Sequence, residues 1–303
     1  VLATGGFEWD EELKTTFLRG PLTSPASPPT NTGDGLKMAL TAGAGLGNMT
    51  SAWWIPTLSE SGARWPDNGA PEKDAQRSVP VLIERTLPHS LMVNGQGKRF
   101  CNEATNYSAL AGAFHSFDPA TYGYNNLPAY LIVDSQYRRR YPIGSVMPGD
   151  PSPDWIVEAP DLAGLADAIG VDATQLEATV SRFNTHAENV NDPDFGRGVG
   201  AYDRFYGDRS RDGAEATLGK VEVGPFFAVR IDLGALGTNG GPRTNGMAQV
   251  LNVYGAVIPG FFGAGNVISN PTGSVYAGAG GTLGPALTFG YIAGQSAARS
   301  EAH

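Results

Sequence analysis

Cysteine is almost missing from this sequence. Cys101 is the single one in 303 residues, so no internal disulfide can staple the chain. With only four scattered histidines beside it, a tetrahedral Cys/His metal site lacks ligands, and no metal is expected. Positive charge is short as well, 21 Lys and Arg against 30 Asp and Glu for a net of −9. Nothing offsets phosphate repulsion, which excludes nucleic acid as an expected partner. No apolar run approaches the ~18 residues of a membrane-spanning helix. The lone thiol fits a reducing, cytoplasmic compartment, and attachment to a membrane surface remains compatible with it. No Ser or Cys sits in a nucleophile elbow, and no paired carboxylates stand out, so neither hydrolase nor glycosidase chemistry is indicated. An initiator Met and a signal-peptide pattern are also lacking. Val1-Leu2-Ala3-Thr4-Gly5-Gly6-Phe7 reads as the tail of a buried strand entering a glycine turn, as if the chain were cut inside a fold.

What the sequence has in plenty is glycine, 41 residues, concentrated where backbone must turn or approach something closely. Between these stretches the pattern alternates. A short helix is expected near 10–20, then a Pro/Ser/Thr loop over 21–32 and a helix over 36–43. Gly43-Ala44-Gly45-Leu46-Gly47 follows a helix rather than a strand, so it reads as a cap and turn and not as a phosphate loop. Residues 48–78, polar and Pro-rich around Trp53-Trp54, suit a domain crossover. Strands are expected over 79–83, 90–93, 127–133, 226–233 and 250–253, with a turn at Asn94-Gly95-Gln96-Gly97. Helices are expected over 162–169 and over 173–189, the second capped by Asp172, and over 284–299 with Pro285 at its first position. The class is α/β with an α+β insertion.

Four constellations carry the chemistry. The densest runs from Gly273 through Tyr276 and Gly280 to Gly284-Pro285-Ala286-Leu287, a glycine loop opening into an apolar helix. Backbone N–H groups at such a helix start carry roughly half a positive charge and would stabilise a phosphate or a reduced flavin ring; tight helix–sheet packing would demand the same glycines. Upstream, residues 257–266 read as a buried strand ending in Gly263-Ala264-Gly265-Asn266. Such an end lets a polar chain pass close to backbone, with Asn266 bonding a hydroxyl, though a plain Asn turn would look alike. Leu236-Gly237-Thr238-Asn239-Gly240-Gly241 is another glycine turn. In the fourth, 97–107, Arg99 and Glu103 read as a structural pair, and Tyr107 as either a core aromatic or a proton-transfer group.

In this order, with Ala3-Thr4-Gly5-Gly6, Asn31-Thr32-Gly33-Asp34-Gly35 and Ala201-Tyr202-Asp203-Arg204-Phe205, the motifs resemble the flavoprotein family of fumarate reductase, succinate dehydrogenase and the 3-ketosteroid dehydrogenases. The 3-ketosteroid Δ1-dehydrogenases are the nearest branch. The resemblance implies an incomplete Rossmann-like FAD-binding domain over 1–67 and 239–303, and a catalytic cap domain over 68–238. The family's first βαβ unit, with a further catalytic tyrosine, would precede Val1, and weak or no FAD binding is expected without it. FAD would contact Gly5, Gly6, Gly33, Asp34, Gly265, Asn266, Gly284, Ala286 and Leu287. Tyr107 would take a proton beside the ketone, and Tyr276 with the Gly280 N–H would grip the C3 carbonyl. The implied reaction is C1–C2 desaturation of a steroid-like ketone by hydride transfer to flavin, with an unidentified electron acceptor. A fumarate-reductase-like enzyme would need cationic clamps for two carboxylates. The stretch 269–283 has no Arg or His, and only Arg243 is left to serve. A non-catalytic fragment without FAD is the remaining alternative.

Overall fold

The computed structural model describes residues 1–64, 76–276 and 278–300. In chain order, α1 (Glu11–Phe17) and α2 (Asp34–Thr41) precede β1 (Leu46–Gly47), β2 (Ala52–Arg64), β3 (Gln76–Pro80) and β4 (Ser90–Asn94). Then come α3 (Ala111–Phe114), β5 (Phe117–Asp118), β6 (Gly123–Tyr124), β7 (Ala129–Asp134), α4 (Ser135–Arg138) and β8 (Ile156–Ala159). Next are α5 (Leu162–Ile169), α6 (Ala173–Glu188) and α7 (Ala201–Phe205). The chain closes with β9 (Phe226–Thr238), β10 (Gly241–Pro242), β11 (Gln249–Leu251), β12 (Val257–Phe262) and α8 (Leu283–Ser300). Two compact units emerge: unit 1 from described residues of Val1–Trp54 and Gly234–His303, and unit 2 from those of Ile55–Ala63 and Arg77–Leu233. The boundary expected at 67/68 lies outside the described residues.

Unit 2 holds a charged and an apolar interior side by side. β7 pairs antiparallel with β4 and with β9 (Leu131 opposite Met92 and Val229), and its residues are nearly all buried, as a central strand requires. Helices α5 and α6 pack on this sheet through Leu165, Leu176, Val180 and Phe183 against Leu91, Ile132 and Ala228. The 4–3–4 spacing of Leu176, Val180, Phe183 and Ala187 places them on one stripe, the Leu, Val and Phe side chains each contributing about 1.5–3 kcal/mol by burial. Asp172 caps α6 by accepting from the Gln175 N–H at 2.6 Å, and Asp161 caps α5 through Gly164 at 2.8 Å. Gly170 closes α5 in the left-handed conformation.

Unit 1 is built from short pieces. Leu2 forms a single parallel bridge to Gly263, its N–H reaching the Phe262 carbonyl at 2.8 Å. α2 packs by Ala39 on Leu2, Val250 and Ile268, and α8 by Ala293 and Phe289 on Ala248 and Phe262.

The structure departs from several expectations. The stretch expected as a crossover contributes β2, a 13-residue strand, despite Pro56, whose carbonyl accepts from Val81 at 2.8 Å. The strand expected over 79–83 stops at Pro80, which has no N–H for the ladder, and a 3-10 turn follows at Glu84–Thr86. β12 is not a buried strand: it pairs only with β11, and of its residues only Phe262 is buried. Helix α8 begins at Leu283, so Pro285 is its third residue rather than its first. That position still lies in the turn where an amide donor is dispensable.

Candidate active site

A cavity of about 460 Å³ in unit 1 is walled by Ala3, Gly5, Ala264, Gly265, Asn266 and Ala286, with Ser27, Asn31, Leu236, Thr282 and Leu283 among its other lining residues. Five separate stretches of chain meet here: the opening Gly turn, the loop over 26–31, Leu236 of β9, the segment after β12 and the start of α8. Gly5 and Gly265 have φ of +76° and +80°, which a side chain would strain. At Gly5 an added Cβ would also lie 2.4 Å from the Asn31 side-chain Oδ1. The wall is therefore largely backbone and methyl groups, which suits a large planar or extended ligand.

Its polar edge is set by a buried acid. Glu8 is fully buried and accepts from Ser27 Oγ at 2.6 Å, Asn31 Nδ2 at 2.7 Å and the Thr238 N–H at 3.0 Å. It fixes two cavity-lining side chains at once. No sequence signal marked this residue, a lone carboxylate after Gly-Gly-Phe. Glu8 also explains Gly6, where a Cβ would meet Glu8 Oε2 at 2.3 Å and Thr238 Oγ1 at 2.2 Å.

At the α8 end, the Gly284 N–H is taken by the Gly280 carbonyl at 2.7 Å and the Ala286 N–H by Thr282 at 3.2 Å, while Pro285 has none. Among the described residues, the amides of this first turn with no hydrogen-bond partner are those of Thr282 and Leu283, fewer than a glycine-rich helix start suggests. Both residues line the cavity. Tyr276 is buried, its ring centroid 4.8 Å from that of Trp53. Gly281 keeps its place clear, since a Cβ there would lie 2.3 Å from the Tyr276 ring. Asn239 holds the same loop, donating to the Gly273 carbonyl at 3.0 Å. Asn266 Oδ1 accepts from the Trp53 indole N–H at 3.1 Å, so the donor end of that amide is what remains for a ligand.

Of the residues singled out by sequence, Gly5, Gly265, Asn266 and Ala286 thus share the cavity wall. Gly6, Gly33, Asp34, Gly284 and Leu287 lie outside it. Gly33 starts α2 beneath Leu13 and Phe7, and Asp34 is exposed, accepting from Thr32 at 3.3 Å. Gly284 is exposed and Leu287 is 75 % exposed on α8. Arg243 is exposed and packs over Gly45 and Gly47. Ala277, next to Tyr276, is outside the described residues.

Tyr107 is buried in unit 2, on a loop held by charge. Arg99 makes paired hydrogen bonds to Glu103 (2.7 and 2.8 Å) and to Asp192 (2.9 and 2.7 Å), and Arg197 reaches Glu103 at 3.2 Å. Arg85 donates to the carbonyls of Glu103 and, at 2.9 Å, Thr105. Burial alone would push the Glu103 carboxyl up; Arg99 and Arg197 outweigh it and hold it below the usual range. Arg99 and Glu103 are thus a structural pair, with Asp192 and Arg197 as members that spacing did not reveal. Burial pushes the Cys101 thiol well up, which leaves it unreactive.

Two further features of unit 2 are accounted for by the same charges. His186, Asp192 and Asp194 come close enough to hold a cation, yet Arg99 and Arg182 already neutralise the two carboxylates. A hollow of about 490 Å³ beside Lys98, Arg182 and Phe195 is lined by the flank of α6, by Lys98, and by Arg99 and Arg182, whose charges are already paired. Its walls lack the backbone approach seen in unit 1.

Comparisons with known proteins agree with this geometry. The family described as FAD binding domain matches residues 1–283. The chain is 44 % identical over 298 residues to 4-oxocyclohexanecarboxylate 2-dehydrogenase of Sinomonas cyclohexanicum, covering 98 % of this chain and 50 % of that protein. It is 40 % identical over 306 residues to 3-oxosteroid 1-dehydrogenase of Mycolicibacterium smegmatis, covering 97 % and 51 %. Among solved structures, 3-ketosteroid Δ1-dehydrogenase from Sterolibacterium denitrificans, in complex with 1,4-androstadiene-3,17-dione, superposes with a TM-score of 0.87 at 36 % identity, covering 97 % and 52 %. The chain spans about half the length of the curated relatives it matches.

Proposed function

The chain belongs to the FAD binding domain family, and from that membership we propose that it serves an FAD-dependent dehydrogenase acting on a ring ketone, desaturating a 3-ketosteroid between C1 and C2. One observation carries this reading: the Tyr276 ring lies against Gly281, and the next residue, Thr282, already lines the cavity. A phenol suited to a ketone and a hollow suited to a cofactor share one loop. Unit 1 is then the Rossmann-like cofactor domain and unit 2 the catalytic cap.

The residues present fit FAD. A wall of glycine and alanine admits its flat and extended parts, and the Asn266 amide with the amides of Thr282 and Leu283 offers donors. Ser27 and Asn31, fixed by Glu8, line the other side. When bound, FAD supplies a hydride acceptor. The chain's own residues lower the cost of the proton step. A C–H beside a ketone becomes acidic only as negative charge on the carbonyl oxygen is stabilised. The Tyr276 hydroxyl and the Gly280 N–H are the two donors assigned to that oxygen, such donors being worth about 3–4 kcal/mol each. Tyr107 is assigned the proton. A phenol of ordinary pKa ~10 needs help from its surroundings to act as base near neutrality.

A second reading has a specific observation behind it. The relative at 44 % identity acts on 4-oxocyclohexanecarboxylate, so a small keto acid is the competing substrate. Its carboxylate would call for a cation, and the Tyr276 loop assigned to the ketone, residues 269–283, has no Arg, Lys or His in its sequence. That favours the neutral ketone. Steady-state kcat/KM for a 3-ketosteroid and for 4-oxocyclohexanecarboxylate separates the two: the steroid is expected to be the better substrate, and the opposite order assigns the keto acid.

A further inference from the structure

Trp53 is a core residue that also contacts two of the loops at the candidate site. The residue is fully buried at the start of β2. Its ring faces that of Tyr276 at 4.8 Å with an interplanar angle of 52°, and its indole N–H, on the same rigid side chain, donates to Asn266 Oδ1 at 3.1 Å. A single indole thus touches both the tyrosine assigned to the ketone and the asparagine on the cofactor cavity.

The surroundings leave these contacts no slack. An added Cβ at Gly281 would fall 2.3 Å from Cε2 of the Tyr276 ring, and one at Gly237 would fall 2.3 Å from Asn266 Nδ2 and 3.6 Å from Trp53 Cδ1. Tyr276 lies against both Trp53 and Gly281, and Asn266 against both Trp53 and Gly237. Because an indole N–H can only donate, it also fixes which way the Asn266 amide is turned. The oxygen is spent on Trp53, and the NH2 end is presented as a donor.

We infer that Trp53 is a positioning residue that sets the Tyr276 ring and the Asn266 amide together, so that Asn266 meets an acceptor atom of its ligand. This rests on the proposed function for the identity of that ligand, FAD. Phenylalanine keeps a ring beside Tyr276 and removes the N–H, so W53F isolates the Asn266 half, while W53L removes both halves.

The test is a double-mutant cycle on FAD binding, read by flavin fluorescence, in wild type, W53F, N266A and the double variant. One hydrogen bond of this kind predicts a dissociation constant raised about tenfold in W53F. N266A is expected to lose a similar amount, and the double variant no more than N266A alone. W53L is expected to lower kcat on a 3-ketosteroid well below W53F without a matching rise in KM. A second readout does not depend on flavin. In flavin-free protein labelled with 15N-asparagine, the Asn266 side-chain amide signals are expected to move in W53F. Losses that multiply in the double variant, or unmoved Asn266 signals, would overturn the inference. Should wild type fail to bind FAD, as expected without the family's first βαβ unit, the amide signals alone decide the role of Trp53, and unmoved signals still overturn the inference.

Discussion

The two units keep their functional groups in place by opposite means. Around the cavity of unit 1 order comes from side chains that are missing: Gly5, Gly237 and Gly281 each let a neighbour sit where a Cβ would be. Around Tyr107 in unit 2 it comes from side chains that cannot be removed, with Arg99, Glu103, Asp192 and Arg197 interlocked and almost wholly buried. One region is damaged by adding a methyl group, the other by deleting a charge. The contrast suits their assigned tasks. A cofactor needs close access to backbone, whereas a loop bearing a catalytic base needs a stiff support.

The largest effect expected from breaking this contrast is Glu103→Ala. It strands Arg197 in the interior and leaves Arg99 with Asp192 alone, and unfolding in urea should show a loss of about 3–5 kcal/mol. FAD affinity of the molecules that remain folded should be unchanged; a parallel loss would mean that the units are not independent in this respect. Next comes Tyr276→Phe, expected to reduce kcat about 10²–10³-fold, the cost of removing one oxyanion donor, with little change in urea midpoint. Gly281→Ala should act in the same direction, because its Cβ intrudes on the ring without touching the hydroxyl. A variant that kept full kcat would detach Tyr276 from the ketone.

The smallest effect is acidic. Arg182 and His186 hold the Asp194 carboxyl down to about 2. Burial would raise Asp208, but hydrogen bonds from Tyr141 and Ser210 prevail and bring it to about 2 as well. Both values lie below the unfolded value of ~3.9, so their contribution is complete above about pH 4 and disappears as pH falls towards 2. Urea midpoints measured between pH 6 and pH 2 should decline in that window. Because both groups face solvent in part, 0.5 M salt should shrink the decline, whereas the buried Arg99–Glu103 pair should be insensitive to it.

The sequence foretold these regions unequally. α5 and α6 came out within a residue of their bounds, since apolar spacing and the Asp172 cap are local signals. The Arg99–Glu103 pair was legible for the same reason, four residues apart on one loop, whereas Asp192 and Arg197 join it from more than 90 positions away. β2 escaped because Pro56 argues against a strand interior. In the cavity, Gly265, Asn266 and Ala286 stood within recognisable glycine stretches. Glu8 and Trp53 did not, since a carboxylate reaching Thr238 and an indole reaching Asn266 are contacts across more than 200 residues that no periodicity encodes.

The central claim is that the Tyr276 loop brings a ketone to the flavin, and anaerobic reduction tests it most directly. Protein loaded with FAD is mixed with a 3-ketosteroid or with succinate while the flavin absorbance is followed. The account predicts bleaching by the ketosteroid, slowed at least about 10²-fold in Tyr276→Phe, and none by succinate. Bleaching by succinate alone would contradict it.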